Sequence, residues 1–109
     1  MSDVVLVLST APDDESTDML ARTLVEEKLA ACVNVLPPMT SVYRWQGTLE
    51  RSVERQMIIK TTRDTLPALH ARFVELHSYE LPEFIVLDVA SGSDDYLAWI
   101  TREVPRAHQ

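Results

Sequence analysis

The chain has 109 residues, 46% of them hydrophobic and 25% charged, which suits one soluble domain spanning 1–109 with a single core. A net charge of −7 argues against nucleic acid or an anionic membrane as partner, and a single cysteine excludes an internal disulfide. The opening run MSDVVLVLST has no basic leader region and is far too short to span a bilayer, so the expected location is the cytoplasm.

Val4 to Ser9 is an apolar, β-branched run, as expected of a strand buried on both faces. Ala11 to Ser16 reads as a turn followed by a helix start, with Asp13 as the cap and acids in the first turn, where the helix dipole favours them. The helix runs to about Lys28, and Leu20, Leu24 and the row Ala21, Val25, Leu29 form its apolar stripe.

Two extended runs follow, Cys32 to Trp45 and Arg51 to Thr62, joined by a polar turn over Gln46 to Glu50. They predict a long β-hairpin. At ~3.3 Å per residue each arm could reach ~40 Å, longer than the ~26–35 Å breadth of a globule of this size. Such a hairpin must bend or project, and Pro37-Pro38 is the expected break, because proline cannot donate to a sheet ladder. A projecting arm with open edges needs a partner, and a sister subunit is the usual one. In the second arm Val53, Arg55, Met57 and Ile59 share one face, and Glu54, Gln56, Ile58 and Lys60 the other.

Thr62 to Asp64 offers a cap, Pro67 suits a first helical turn, and Leu66, Leu69, Phe73 and Leu76 follow at helical spacing. This helix ends in HSYELP, where Pro82 prevents continuation. Glu83 to Val89 reads as another largely buried strand. Ala90 to Asp95 is a loop, and Tyr96, Leu97, Ile100 and Val104 give a last helix that stops at Pro105. The order β-α-β-β-α-β predicts a ferredoxin-like α+β split-βαβ sandwich with one extra C-terminal helix.

No nucleophile elbow, phosphate loop, glycine fingerprint or H-E-x-x-H pair is present, so no enzyme is predicted. A paired-cysteine metal carrier, an RNA-recognition sheet and an acyl-phosphate hydrolase each lack their defining residues. Four features remain. Cys32 reads either as a small buried hydrophobe or as a thiolate ligand. His77 and Glu80 could supply two ligands to zinc or copper, or could simply finish a helix. Asp13, Asp14 and Glu15 form an acidic run that could hold a hard cation or merely match the helix dipole. Tyr43 and Trp45, with Glu54 and Lys60 on the facing arm, could line a small-molecule pocket or pack on a sister subunit.

Five ordered signatures carry a family resemblance over Val4 to Val104. They are LAACVNVLP at Leu29 to Pro37, S-x-Y-x-W-x-G from Ser41, E-x5-K-T from Glu54, H-x-Y-E-x-P-E from His77, and Y-L-x-W from Tyr96. On these the chain resembles the CutA divalent-cation-tolerance proteins. The resemblance implies a PII-like homotrimer with hairpins completing sheets between neighbours, no enzymatic activity, and a divalent metal, copper foremost, as bound ion. It makes Cys32, His77 and Glu80 the candidate metal ligands. It also makes Tyr43, Trp45, Glu54, Lys60, Tyr79, Tyr96 and Trp99 candidates for lining inter-subunit clefts, where a signalling or scaffold trimer would hold a small metabolite. The chain departs from the family pattern at Arg44, Gln46, Arg55, Gln56, Ser78 and Asp88, which affects the arm's surface more than the candidate pocket.

Overall fold

A computed structural model describes residues 3–105. Four strands form one antiparallel sheet: β1 (Val4–Pro12), β2 (Cys32–Trp45), β3 (Thr48–Thr62) and β4 (Ile85–Asp88), in the order β2-β3-β1-β4. Helices α1 (Glu15–Glu26) and α2 (Leu66–Leu76) cover one face, and α3 (Asp94–Glu103) follows β4. The expected ferredoxin-like order is the one the chain adopts.

The main core lies between sheet and helices. Val7 and Ala11 from β1 and Met57 and Ile59 from β3 meet Leu20 and Leu24 of α1 and Leu69 and Phe73 of α2. A smaller core joins Val4 and Ala31 to Ile100 and Val104, so α3 covers the end of the sheet where the chain starts.

Several boundaries differ from the sequence expectation, each for a local reason. Strand β1 continues through Ala11 to Pro12, because Pro12 sits at its last position, opposite Glu54, where a missing N–H costs little. The α1 cap is therefore Asp14 and not Asp13; its carboxylate accepts from the Ser16 backbone N–H at 2.9 Å. Helix α1 stops at Glu26, two residues early. Lys28 takes a left-handed φ of 61°, and the N–H groups of Lys28 and Leu29 close back on the Val25 and Leu24 carbonyls.

The hairpin turn is only Gln46-Gly47, with φ of 50° and 82°, and Trp45 pairs directly with Thr48. Two positive φ values in a two-residue loop match the right-handed twist of the strands. Strand β3 accordingly begins at Thr48, and the molecule is 44 Å long but only 25 by 23 Å across.

The largest correction concerns the last strand. It covers Ile85–Asp88 only, and all four residues are exposed, where a largely buried strand was expected. Among the described residues its one sheet neighbour is β1, which leaves its outer edge open, and only the flanking Phe84 and Val89 reach the two cores.

Candidate functional site

The site begins with a register shift. Between Val35, opposite Met57, and Pro38, opposite Arg55, β2 spends three steps against two in β3. One extra residue at Leu36-Pro37 makes a bulge, and every side chain beyond it changes face. Before the bulge Cys32 shares a face with Lys60; after it Met39, Ser41, Tyr43 and Trp45 share that same face with Glu54, Ser52, Glu50 and Thr48. Arg55, on the helix-covered side, fixes the distortion by donating from Nε to the Leu36 carbonyl at 2.7 Å. The break expected at Pro37-Pro38 is thus the device that turns the aromatic pair onto the sheet's other face.

The opposite wall comes from the connection between α2 and β4. Strand β4 pairs only with Val5 to Leu8, so β1 has a free edge from Ser9 onward, and the chain passes round it. His77 pins this crossing. Its Nδ1 accepts from the Tyr79 backbone N–H at 3.0 Å, so Nε2 carries the proton and donates to the Thr10 carbonyl at 2.8 Å. The ring is buried between Phe73 and Tyr79, with centroids 5.0 and 4.7 Å away.

Between the two walls lies a cleft of about 860 Å³. Tyr43 and Trp45 stand on the hairpin side, Tyr79, Glu80 and Glu83 on the connection, and Glu54 and Gln56 on the floor. Glu54 is only 7% exposed, and its carboxylate accepts from the Tyr79 hydroxyl at 2.9 Å. Burial, with the adjacent Glu54 carboxylate as second cause, pushes the Tyr79 hydroxyl above the ordinary tyrosine range and keeps it a donor. Gln56 donates to the Ser9 carbonyl at 2.6 Å and to Glu83 at 3.3 Å, joining floor to wall.

The remaining candidates gather at the other end of the same face. Lys60 donates to the Tyr96 hydroxyl at 3.1 Å, and the Tyr96 and Trp99 rings lie 5.4 Å apart. The hydrogen bond to Tyr96 holds the Lys60 ammonium above its ordinary pKa, and Cys32, directly across the ladder, adds to this. Glu54 and Lys60 are six residues apart on one strand, roughly 20 Å. The seven cleft candidates therefore form two groups within one chain: Tyr43, Trp45, Glu54 and Tyr79 at the cleft, and Lys60, Tyr96 and Trp99 beside Cys32. Gln56 and Glu83 had not been singled out as site residues. The alternation along β3 would have found Gln56; nothing local marks Glu83 as its partner.

The three metal candidates do not meet within one chain. Cys32 pairs with Lys60, whereas His77 is fixed to Thr10, opposite Gln56, four residues along and two strands across, roughly 16 Å at the usual sheet spacings. Glu80 is exposed at the cleft rim. Both ring nitrogens of His77 are engaged by backbone, so no lone pair faces outward. Among the described residues no three His, Cys, Asp or Glu side chains come together as a ligand set. The acidic run at the start of α1 is a cap, with Asp13 lying 4.0 Å from Arg55. This donor arrangement does not fit a metal within a single subunit.

The family model for the CutA1 divalent ion tolerance protein matches residues 5–103. The chain belongs to the CutA1 divalent-cation tolerance family. It is 44% identical over 100 residues to the divalent-cation tolerance protein CutA of Thermus thermophilus, covering 92% of this chain and 95% of that one. The CutA of Pectobacterium atrosepticum is likewise 44% identical over 100 residues, covering 92% and 91%. The crystal structure of CutA from Xylella fastidiosa superposes with a TM-score of 0.92 at 46% identity, covering 95% of this chain and all of that one. The CutA1 fold is ferredoxin-like and PII-like, and this chain has it. Among the described residues no helix is long and apolar enough to cross a membrane.

Proposed function

We propose that the protein serves divalent-cation tolerance as a cytoplasmic homotrimer that catalyses no reaction and holds its ligand in the clefts around the distal hairpin. The carrying observation is the bare surface of that hairpin. Val42, Leu49 and Val53 are 57–68% exposed, beyond the reach of β1, which supports β3 only as far as Glu54. A two-stranded ribbon is marginal in water. Strand β4 presents a second bare edge, Ile85 to Asp88, elsewhere on the molecule. Two different open edges on one chain suit a head-to-tail contact, which gives a ring where its rotation closes. The family resemblance favours a ring of three, in which Tyr43, Trp45, Glu54, Lys60, Tyr79, Tyr96 and Trp99 would line clefts that a neighbour completes.

Copper is the second part of the reading. Cys32 is the chain's soft donor, half-buried beside the Lys60 ammonium, and a copper ion there takes its other ligands from outside this subunit. Native mass and sedimentation at micromolar concentration test the assembly, and calorimetric copper titration of the metal-free protein tests the ion. A trimer binding copper in a saturable way, lost in Cys32→Ser, is expected. A folded monomer overturns the assembly; copper affinity unchanged in Cys32→Ser overturns the copper part.

A further inference from the structure

We propose that His77 is an acid-sensitive latch. While its imidazole is neutral it holds the connection between α2 and β4 against β1, and when the ring takes a second proton it releases that wall of the cleft. The latch acts on the wall itself and does not depend on what the cleft holds.

The device lies in the two ring nitrogens. Nδ1 accepts from the Tyr79 backbone N–H at 3.0 Å and Nε2 donates to the Thr10 carbonyl at 2.8 Å, so the closed wall uses one lone pair and one N–H. Only the neutral imidazole has both. In the imidazolium Nε2 still suits the Thr10 carbonyl, but Nδ1 meets the Tyr79 N–H donor to donor. No rotation of the ring restores an acceptor, so the peptide at Tyr79 gives way. What that peptide carries is cleft wall: the Tyr79 side chain, whose hydroxyl donates to Glu54 at 2.9 Å, and then Glu80 and Glu83. The tie at the far end of the wall, from Gln56 to Glu83, is longer at 3.3 Å.

The ring is shut in by its own chain. It is 8% exposed, between Phe73 of α2 and Tyr79. Ala11 and Pro12 of β1, Ser16, Thr17 and Leu20 of α1 and Leu76 of α2 line a small void against it, and none of them titrates. Beyond Tyr79 stand Glu54 of β3, bonded to its hydroxyl, and Asp14 before α1 and Tyr43 of β2, both near enough to act on that hydroxyl. Arg55 of β3 is turned instead to the Leu36 carbonyl and Asp13. An imidazolium here has carboxylates for neighbours and loses one hydrogen bond, the one to Tyr79. Both nitrogens and both ring faces are engaged within the chain, so a neighbouring subunit that completes the cleft leaves the latch as it is. The closed wall takes only the neutral ring, whereas the released wall takes either form. Closure is therefore present above the ordinary imidazole value of about 6.5 and is lost as pH falls below it.

The test is amide hydrogen exchange with imidazole NMR on the assembled full-length protein, at about pH 7.5 and about pH 5.5, on either side of the ordinary histidine range. Protection factors remove the pH dependence of the exchange chemistry itself. Protection of the Tyr79 N–H is expected to fall tenfold or more at the lower pH, with the midpoint of the His77 ring titration. Val7, in the central strand, is expected to keep its protection, because the release is local. His77→Asn brings a carbonyl oxygen that does not titrate to the Tyr79 N–H, and is expected to keep that N–H equally protected at both pH values. His70→Asn, at the exposed histidine stacked on Phe84, is expected to leave the acid response intact. A His77 ring that stays neutral at the lower pH overturns the latch, and so does a Tyr79 N–H that stays protected after the ring has charged. Acid release that persists in His77→Asn, or that takes Val7 with it, assigns the response to a carboxylate or to general unfolding and also overturns it. If His77→Asn does not fold, the unmodified protein decides: ring titration and Tyr79 release at different midpoints overturn the latch.

Discussion

Replacing His77 separates a structural histidine from a metal ligand. In His77→Leu the Tyr79 N–H loses its partner, and the Thr10 carbonyl loses its short one and keeps only the Ser9 hydroxyl at 3.4 Å. Thr10 is 9% exposed, so its carbonyl has little access to water, while Tyr79 is half-buried and its N–H can be partly rehydrated. A buried group left without a hydrogen bond costs about 1–3 kcal/mol, so the two together should cost about 2–4 kcal/mol per subunit, with Thr10 the larger share. Leucine retains most of the apolar contact with Phe73. Urea unfolding at fixed subunit concentration reads the loss directly. With a slope of roughly 2 kcal/mol per molar, mid-range for a small domain, the midpoint should fall by roughly 1–2 M. Copper titration of the same variant should give an unchanged dissociation constant, because neither ring nitrogen is available as a ligand. An unchanged urea midpoint together with copper affinity weakened tenfold would refute the structural assignment and return His77 to the metal site.

Two further outcomes follow from other residues. Gly47→Ala should destabilise by about 1–2 kcal/mol through its left-handed backbone alone, since φ is 82° and nothing lies within 4 Å of an added methyl; urea unfolding would show it, with assembly unchanged. Glu27 receives two hydrogen bonds from the Arg72 guanidinium, at 2.9 Å each, which hold its carboxyl below its ordinary 4.5. With the folded value depressed, its stabilising contribution is present above pH 4.5 and lost as pH falls through the lower folded value. An NMR titration should place Glu27 below the ordinary value and return it there in Arg72→Ala.

The elements most legible in the sequence were those whose pattern is set by the chain's own core. Leu66, Leu69, Phe73 and Leu76 mark α2 by spacing, and Met57 and Ile59 mark the buried face of β3 by alternation; the structure keeps both. Strand β4 was misjudged because Ile85, Val86 and Leu87 are apolar yet bare in one chain. Their composition is not set by this chain's core, which they do not enter. The candidate site was legible in part. Alternation correctly put Glu54 and Lys60 on one face, but a shared face says nothing about distance along a strand, and six residues carried them into separate groups. The bulge at Leu36-Pro37 was signalled by its prolines, while its effect on Tyr43 and Trp45 depends on counting residues against a partner strand. His77 and Cys32 were joined by resemblance alone, and the register holds them apart.

The bulge also governs which length changes the protein can tolerate. Lengthening the arm at its tip by one residue in each strand leaves every existing pair intact and merely moves Gln46-Gly47 outward. Removing a single residue between Val35 and Pro38 only straightens the bulge and leaves Met39 through Trp45 opposite the same partners on the same face; removing Thr40, beyond it, is different. It moves Ser41 through Trp45 one step against β3, turns Ser41, Tyr43 and Trp45 to the other face, and gives their places to Val42 and Arg44. That shortened chain would keep its core, since Val7, Met57, Leu69 and Phe73 lie outside the affected segment, and yet present an arginine where the tyrosine now stands. Variation in the arm is therefore permitted in composition and in paired length, but not in parity against β3 beyond the bulge.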